Sequence, residues 1–154
     1  MHIFGILWPT IVLVALIWLV WGTMFFQRFR HMKRTPPKQW DLDSTESALR
    51  YFAPVEMPAN NLRNLFEMPV LYFALVPLLL ITREVTHVQV ALAWSYVTLR
   101  AIHSFIHIGP KRVSWRFLVY AASCAVLAAM WLCFAYGLSY DQAVYDEAMG
   151  NVLI

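Results

Sequence analysis

The stretch NNLRNLFEMPVLYFALVPLLLI, residues 60–81, sets three amides, a guanidinium and a carboxylate at the mouth of a long apolar run. The run from Leu65 to Ile81 is long enough to enter a bilayer, because a helix needs about 20 residues to cross a hydrocarbon core of roughly 30 Å. Pro69 and Pro77 interrupt it, each removing one backbone hydrogen bond and freeing a carbonyl four residues earlier, so neighbouring helices must compensate. Pro58 suits the first turn of this helix, which is expected to start near Met57, outside the hydrocarbon.

Three more apolar segments of comparable length lie around 3–26, 88–108 and 117–136. In a chain of 154 residues that is 60% hydrophobic and only 14% charged, with a mean hydropathy of +0.56, they place the protein in the membrane class. Only helices or closed barrels satisfy their backbone in lipid, and no alternation of period two favours a barrel. The expectation is an all-α, integral membrane, multi-pass four-helix bundle, one domain over residues 1–154, with spans at about 3–26, 60–81, 88–108 and 117–136. The first segment lacks a basic leader and meets Arg28 and Arg30 instead of a small-residue cleavage site, so it reads as a retained span and not a signal peptide.

Lys and Arg concentrate in two connections: Arg28, Arg30, Lys33, Arg34 and Lys38 in the first, and Lys111, Arg112 and Arg116 in the third. The second connection has Arg83 alone, while the tail carries Asp141, Asp146 and Glu147. By the positive-inside rule the first and third connections face the cytoplasm and both termini face outward. The formal net charge of +3 is thus a topology signal, and nucleic acid is not an expected partner because the basic residues flank helices. The long first connection holds Pro36, Pro37 and Pro54 around DLDSTESAL, where Asp43 or Ser44 is placed to cap a short surface helix running to Leu49 or Tyr51. The other connections are short, so consecutive spans should pack antiparallel. Cys124 and Cys133 lie nine residues apart, on opposite faces of one helix, and read as packing residues.

Helical spacing gathers the polar residues into two stripes. Asn60, Asn64 and Glu67 fall within an arc of about 60° on the second span, with Arg63 beside it, and Tyr96, Arg100, His103 and His107 share one face of the third. Both stripes end at the cytoplasmic side, so Glu67 opposite Arg100 is the expected pairing for two charges at membrane depth. Two accounts remain open: the polar groups stitch helices together, or they build an anion-recognising cleft supplied by Arg28, Arg63, Arg100, Arg112 and Arg116. His103 and His107 alone do not make a metal site, since no carboxylate or thiol completes the set on their helix. No glycine-rich phosphate loop and no local Ser-His-Asp set is present.

The segment Asn64, Leu65, Phe66, Glu67, Met68, Pro69 and the segment Arg100, Ala101, Ile102, His103, continuing to His107, resemble the second- and third-helix signatures of the MAPEG family, membrane-associated proteins in eicosanoid and glutathione metabolism. The resemblance implies a left-handed four-helix bundle assembled as a homotrimer, with glutathione held between subunits near the cytoplasmic surface. It places Asn64, Glu67 and Arg100 in the glutathione cleft, His103 and His107 where ring side chains line it, and Arg28 where an arginine reaches the glutathione carboxylate. One departure is Asn60, where the family's enzymes commonly carry Arg; Arg63 stands on the adjacent face. Arg116 is the nearest match to the arginine that stabilises the thiolate, with Arg112 as the alternative. A thiol with an ordinary pKa near 8.5 becomes a nucleophile when a guanidinium favours its thiolate. The implied activity is a glutathione-dependent transferase or peroxidase acting on lipophilic molecules from the bilayer. The implied location is a bacterial inner membrane with periplasmic termini. The alternative is a noncatalytic member serving as a binder or as a subunit of a larger membrane complex.

Overall fold

The computed structural model describes residues 3–109 and 113–152, and among these there is helix and connecting coil but no strand. Lys111 and Arg112 lie outside the described residues. The helices are α1 (Leu7–Arg34), α2 (Thr45–Phe52), α3 (Met57–Glu67), α4 (Pro69–Ile81), α5 (His87–Ile108) and α6 (Val113–Val152).

Three stretches are long and apolar enough to cross a membrane: Leu7–Arg34, Met57–Ile81 and Val113–Met149, with hydropathies of 2.1, 1.9 and 2.1. Large exposed side chains along them, among them Trp18, Leu19, Phe26 and Leu132, form an outward apolar surface that only lipid or another apolar partner accommodates. The protein is an integral membrane protein. The third expected span, 88–108, corresponds to α5, which has the length but not the apolarity, because Gln89, Arg100 and three histidines dilute it. Its polar groups are turned inward: Gln89, Tyr96, Arg100, His103, Ser104 and His107 are all buried.

The expected second span is divided at Met68 into α3 and α4, since Pro69 has no N–H to continue the ladder. Met68 keeps helical dihedrals (φ −71°, ψ −36°), so the two pieces continue one another, and Pro77 is accommodated inside α4. Ser44 is the residue that caps α2: its hydroxyl accepts from the Ser47 amide at 3.1 Å, and the Ser47 hydroxyl accepts in turn from the Ser44 amide at 3.1 Å. Thr86 caps α5 by accepting from the Gln89 amide at 3.2 Å.

α5 lies along α6, α1 packs on α3 and α5, and α4 meets α6. Leu13, Tyr72, Leu75, Leu79, Ala93, Tyr96, Leu127 and Met130 make the buried core. Lipid tails are as apolar as leucine, so close packing and interhelical hydrogen bonds hold such helices together. Tyr72 stacks on Tyr96 at 5.3 Å, the Tyr72 hydroxyl meets that of Thr10 at 3.0 Å, and the Gln89 amide donates to the Met130 carbonyl at 2.9 Å.

α6 is 40 residues long, about 60 Å at 1.5 Å per residue, twice a hydrocarbon core, so it continues well past the expected 117–136. At that end Glu84, in the connection between α4 and α5, lies against Gly137, where a Cβ would collide with its carboxylate. Partial desolvation, then the hydrogen bond and the charge of Asp141, raise the Glu84 carboxyl above its ordinary value of 4.5. The folded chain therefore holds this proton more tightly than the unfolded chain, and stability falls as pH rises from 4.5 through the raised folded value. Glu84→Gln is expected to melt higher than wild type in detergent at neutral pH, with the difference closing once wild-type Glu84 is protonated. A neutral-pH melting point below wild type would show that the carboxylate is not strained there.

Candidate functional site

Pro69 removes the donor that the Leu65 carbonyl would otherwise use, and α3 ends at Glu67 just before it. Arg100, fully buried on α5, reaches the neighbouring backbone: its Nη2 donates to the Asn64 carbonyl at 2.6 Å, and its charge complements the negative end of the α3 dipole. The guanidinium lies over the Tyr120 ring of α6 at 5.4 Å. Its Nε and Nη1 are buried and have no protein partner.

His103, one turn on, shares this wall. Its Nδ1 is 3.2 Å from the Arg116 carbonyl, and since a carbonyl only accepts, Nδ1 donates there and leaves Nε2 on the far side of the ring. That Nε2 is buried without a partner, as is His107 Nδ1. The two imidazoles meet edge to face at 5.6 Å, and His103 also lies 5.6 Å from the Tyr120 ring. Asn64, His103, Arg116, Phe117 and Tyr120 line a hollow of about 230 Å³ that opens at the start of α6.

The structure thus brings together Asn64, Arg100, His103 and Arg116, with His107 behind them. It does not form the expected Glu67–Arg100 ion pair: among the described residues the ion pairs are Arg28–Glu56 and Arg50–Glu46. Arg100 is turned to the Asn64 carbonyl, while Glu67 is exposed. Asn60 is half-buried and Arg63 exposed, and neither lines the hollow. Arg28 is held elsewhere, with Nη2 3.2 Å from Glu56 Oε2 and its guanidinium 4.8 Å over Phe52. Because Glu67 is exposed and belongs to neither ion pair found among the described residues, Glu67→Gln is expected to shift the detergent melting point no more than Glu46→Gln, within the roughly 0.5 kcal/mol of ordinary surface changes. A clearly larger loss for Glu67→Gln would restore a structural ion pair.

Two contributors escaped the sequence reading. Tyr120 stands four residues after Arg116, so a polar stripe on α6 was available to be found. Asn61 is fully buried and accepts from the Ser104 hydroxyl at 3.4 Å, one residue off the stripe read from Asn60 and Asn64.

The hollow is half-polar, carries the Arg116 cation and lies at the start of a helix long and apolar enough to cross a membrane. The family model for MAPEG matches residues 6–136, and the chain belongs to the MAPEG family. No curated protein and no solved structure matches the chain.

Proposed function

We propose that this protein is a membrane-bound glutathione-dependent transferase or peroxidase acting on lipophilic electrophiles, with α5 as the third span of a four-helix bundle that assembles as a homotrimer. The observation that carries the reading is Arg100: a guanidinium removed from solvent, two of whose nitrogens have no protein partner, beside the hollow shared by Asn64, His103 and Arg116. Buried polar atoms are nearly always hydrogen-bonded, so a chain that leaves Arg100 Nε, Arg100 Nη1 and His103 Nε2 together suits a ligand with carboxylates and a polar backbone.

The residues present fit glutathione in kind. Arg100 holds a carboxylate or the peptide carbonyl, Glu67 at the rim attracts the ammonium, His103 Nε2 accepts an N–H, and Arg116 favours a negatively charged sulfur. Arg28 belongs to the same cleft only if a neighbouring subunit delivers it, because in its own protomer Glu56 engages it. Bound glutathione supplies the thiol that adds to the electrophile or reduces a lipid hydroperoxide. The chain's part is to orient that sulfur, hold it as thiolate and keep its surroundings open to molecules entering from the bilayer.

Asn60 in the place where the family's enzymes commonly carry arginine, and the Arg28–Glu56 pair, favour a second reading: a noncatalytic member that binds a small molecule or serves a larger membrane complex. Mixing the purified wild-type protein with glutathione and following ultraviolet thiolate absorbance separates the two. A rise at neutral pH is expected; a well-folded protein that gives none supports the accessory role.

A further inference from the structure

The last two turns of α1 carry a cationic cluster that the glutathione site does not use. Arg30, Lys33 and Arg34 are exposed and belong to neither of the ion pairs found among the described residues. The nearby acids are engaged: Glu56 by Arg28 at 3.2 Å, and Asp41 by the Lys38 amide at 2.8 Å. Lys33 lies 4.7 Å over the Phe29 ring, leaving its ammonium turned to the same region.

Two hollows flank this ridge. One, of about 530 Å³, is lined by Phe26, Gln27, Arg30, His31 and Arg34, with Val55 closing it from the connection before α3. The other, of about 310 Å³, shares Phe26, Arg30 and Arg34 and adds Phe29 and Lys33. His31, which lines the first hollow, is fixed by its Nε2 at 3.1 Å from the Tyr51 carbonyl and by the Tyr51 ring at 4.9 Å, so the end of α2 is anchored on this part of α1.

Phe26, Arg30 and Arg34 follow one another at four-residue intervals, a stripe of about 12 Å along the helix axis. Its lower end is apolar and faces outward, with Phe25, Phe26 and Phe29 all more than half exposed; its upper end is two unpaired guanidinium groups. That gradient over that distance matches an acyl chain, a glycerol and a phosphate at the edge of a leaflet. Arginine pairs bind phosphate oxygens through parallel N–H bonds, and basic pockets at the ends of membrane helices attract anionic headgroups.

We propose that the hollows at the C-terminal end of α1 form a binding site for an anionic phospholipid, its phosphate between Arg30 and Arg34 and one acyl chain along Phe26 and Phe29. Free phosphate satisfies only the upper half of this arrangement.

The test uses the full chain purified in detergent and titrated with phosphatidylglycerol or phosphatidylcholine, bound lipid being counted by native mass spectrometry. Phosphatidylglycerol is expected to bind roughly 10- to 30-fold more tightly, the factor two cations near a membrane surface provide. Arg30→Gln with Arg34→Gln should erase the preference, Arg50→Gln on the neighbouring α2 should leave it intact, and millimolar inorganic phosphate should not displace the lipid. Equal affinity for the two lipids, a preference that survives the double substitution, an equal loss in Arg50→Gln, or displacement by phosphate would each overturn the proposal. Should the double variant fail to fold, wild type decides by salt: the preference must shrink as salt rises to about 1 M, where screening acts within roughly 3 Å, and a salt-independent preference overturns it.

Discussion

Arg100→Met is expected to melt at or above the wild-type temperature in detergent while lowering glutathione affinity by at least about tenfold. The two effects come from one arrangement. In the free protein a fully buried guanidinium makes one hydrogen bond, to the Asn64 carbonyl, and leaves two nitrogens unmatched. Replacing a poorly compensated buried charge by an apolar side chain of similar length is neutral or stabilising in many proteins, and this outweighs the carbonyl left without its donor. Hydrogen bonds to a charged group contribute about 1.5–3 kcal/mol each, so losing even one to a bound carboxylate reduces affinity roughly 10- to 150-fold. Arg100→Ala serves as the contrast, because its cavity lowers stability by a few kcal/mol whatever the arginine does. Calorimetric titration and thermal unfolding on the same preparations give the answer. If Arg100→Met melts as far below wild type as Arg100→Ala, Arg100 is a stitch between α3 and α5, and the case for a ligand there fails.

The third-helix stripe was fully legible because burial and helical period agree on α5: Tyr96, Arg100, His103 and His107 recur on one face, and all four are buried. The stripe on α3 was legible only in part. Period tells which residues share a face but not how deep that face lies: Asn64 lines the hollow, while Glu67, the last residue of α3, is exposed and does not. The missing Glu67–Arg100 pair is also beyond a periodicity argument: the Asn64 carbonyl near the end of α3 takes the guanidinium in place of the Glu67 carboxylate. Tyr120 went unseen because, apart from Arg116 one turn before it, its neighbours are mostly apolar, and a tyrosine in such a run reads as another core ring. The pairing of Arg28 with Glu56 depends on how the connection through α2 folds back onto α1, a long-range fact that no local pattern contains. Hydropathy located the fourth span but not the length of α6, since it measures where lipid is tolerated, and the residues after Tyr136 are polar yet capable of helix.

Arg116→Ala is expected to raise the pKa of bound glutathione by about one to two units and to cut the thiolate signal at neutral pH roughly tenfold or more. The substitution isolates a side chain: the Arg116 carbonyl that orients His103 belongs to the backbone and survives. Arg116 stands in the first turn of α6, where the helix dipole also favours an anion. At about 4 Å and an effective dielectric near 20 a guanidinium attracts a thiolate by roughly 4 kcal/mol. Arg116 is only half-buried, so screening brings this down to the 1.4–2.7 kcal/mol that corresponds to about one to two pKa units. Glutathione binding itself should weaken less than in Arg100→Met, because the neutral thiol still binds, and Arg116→Lys should recover part of the signal by restoring the charge. A pH titration of ultraviolet absorbance across wild type, Arg116→Ala, Arg116→Lys and Arg112→Ala reads all of this at once. Arg112→Ala should titrate as wild type; if it loses the thiolate while Arg116→Ala keeps it, the activating cation belongs to the connection before α6 and the role given to Arg116 is wrong.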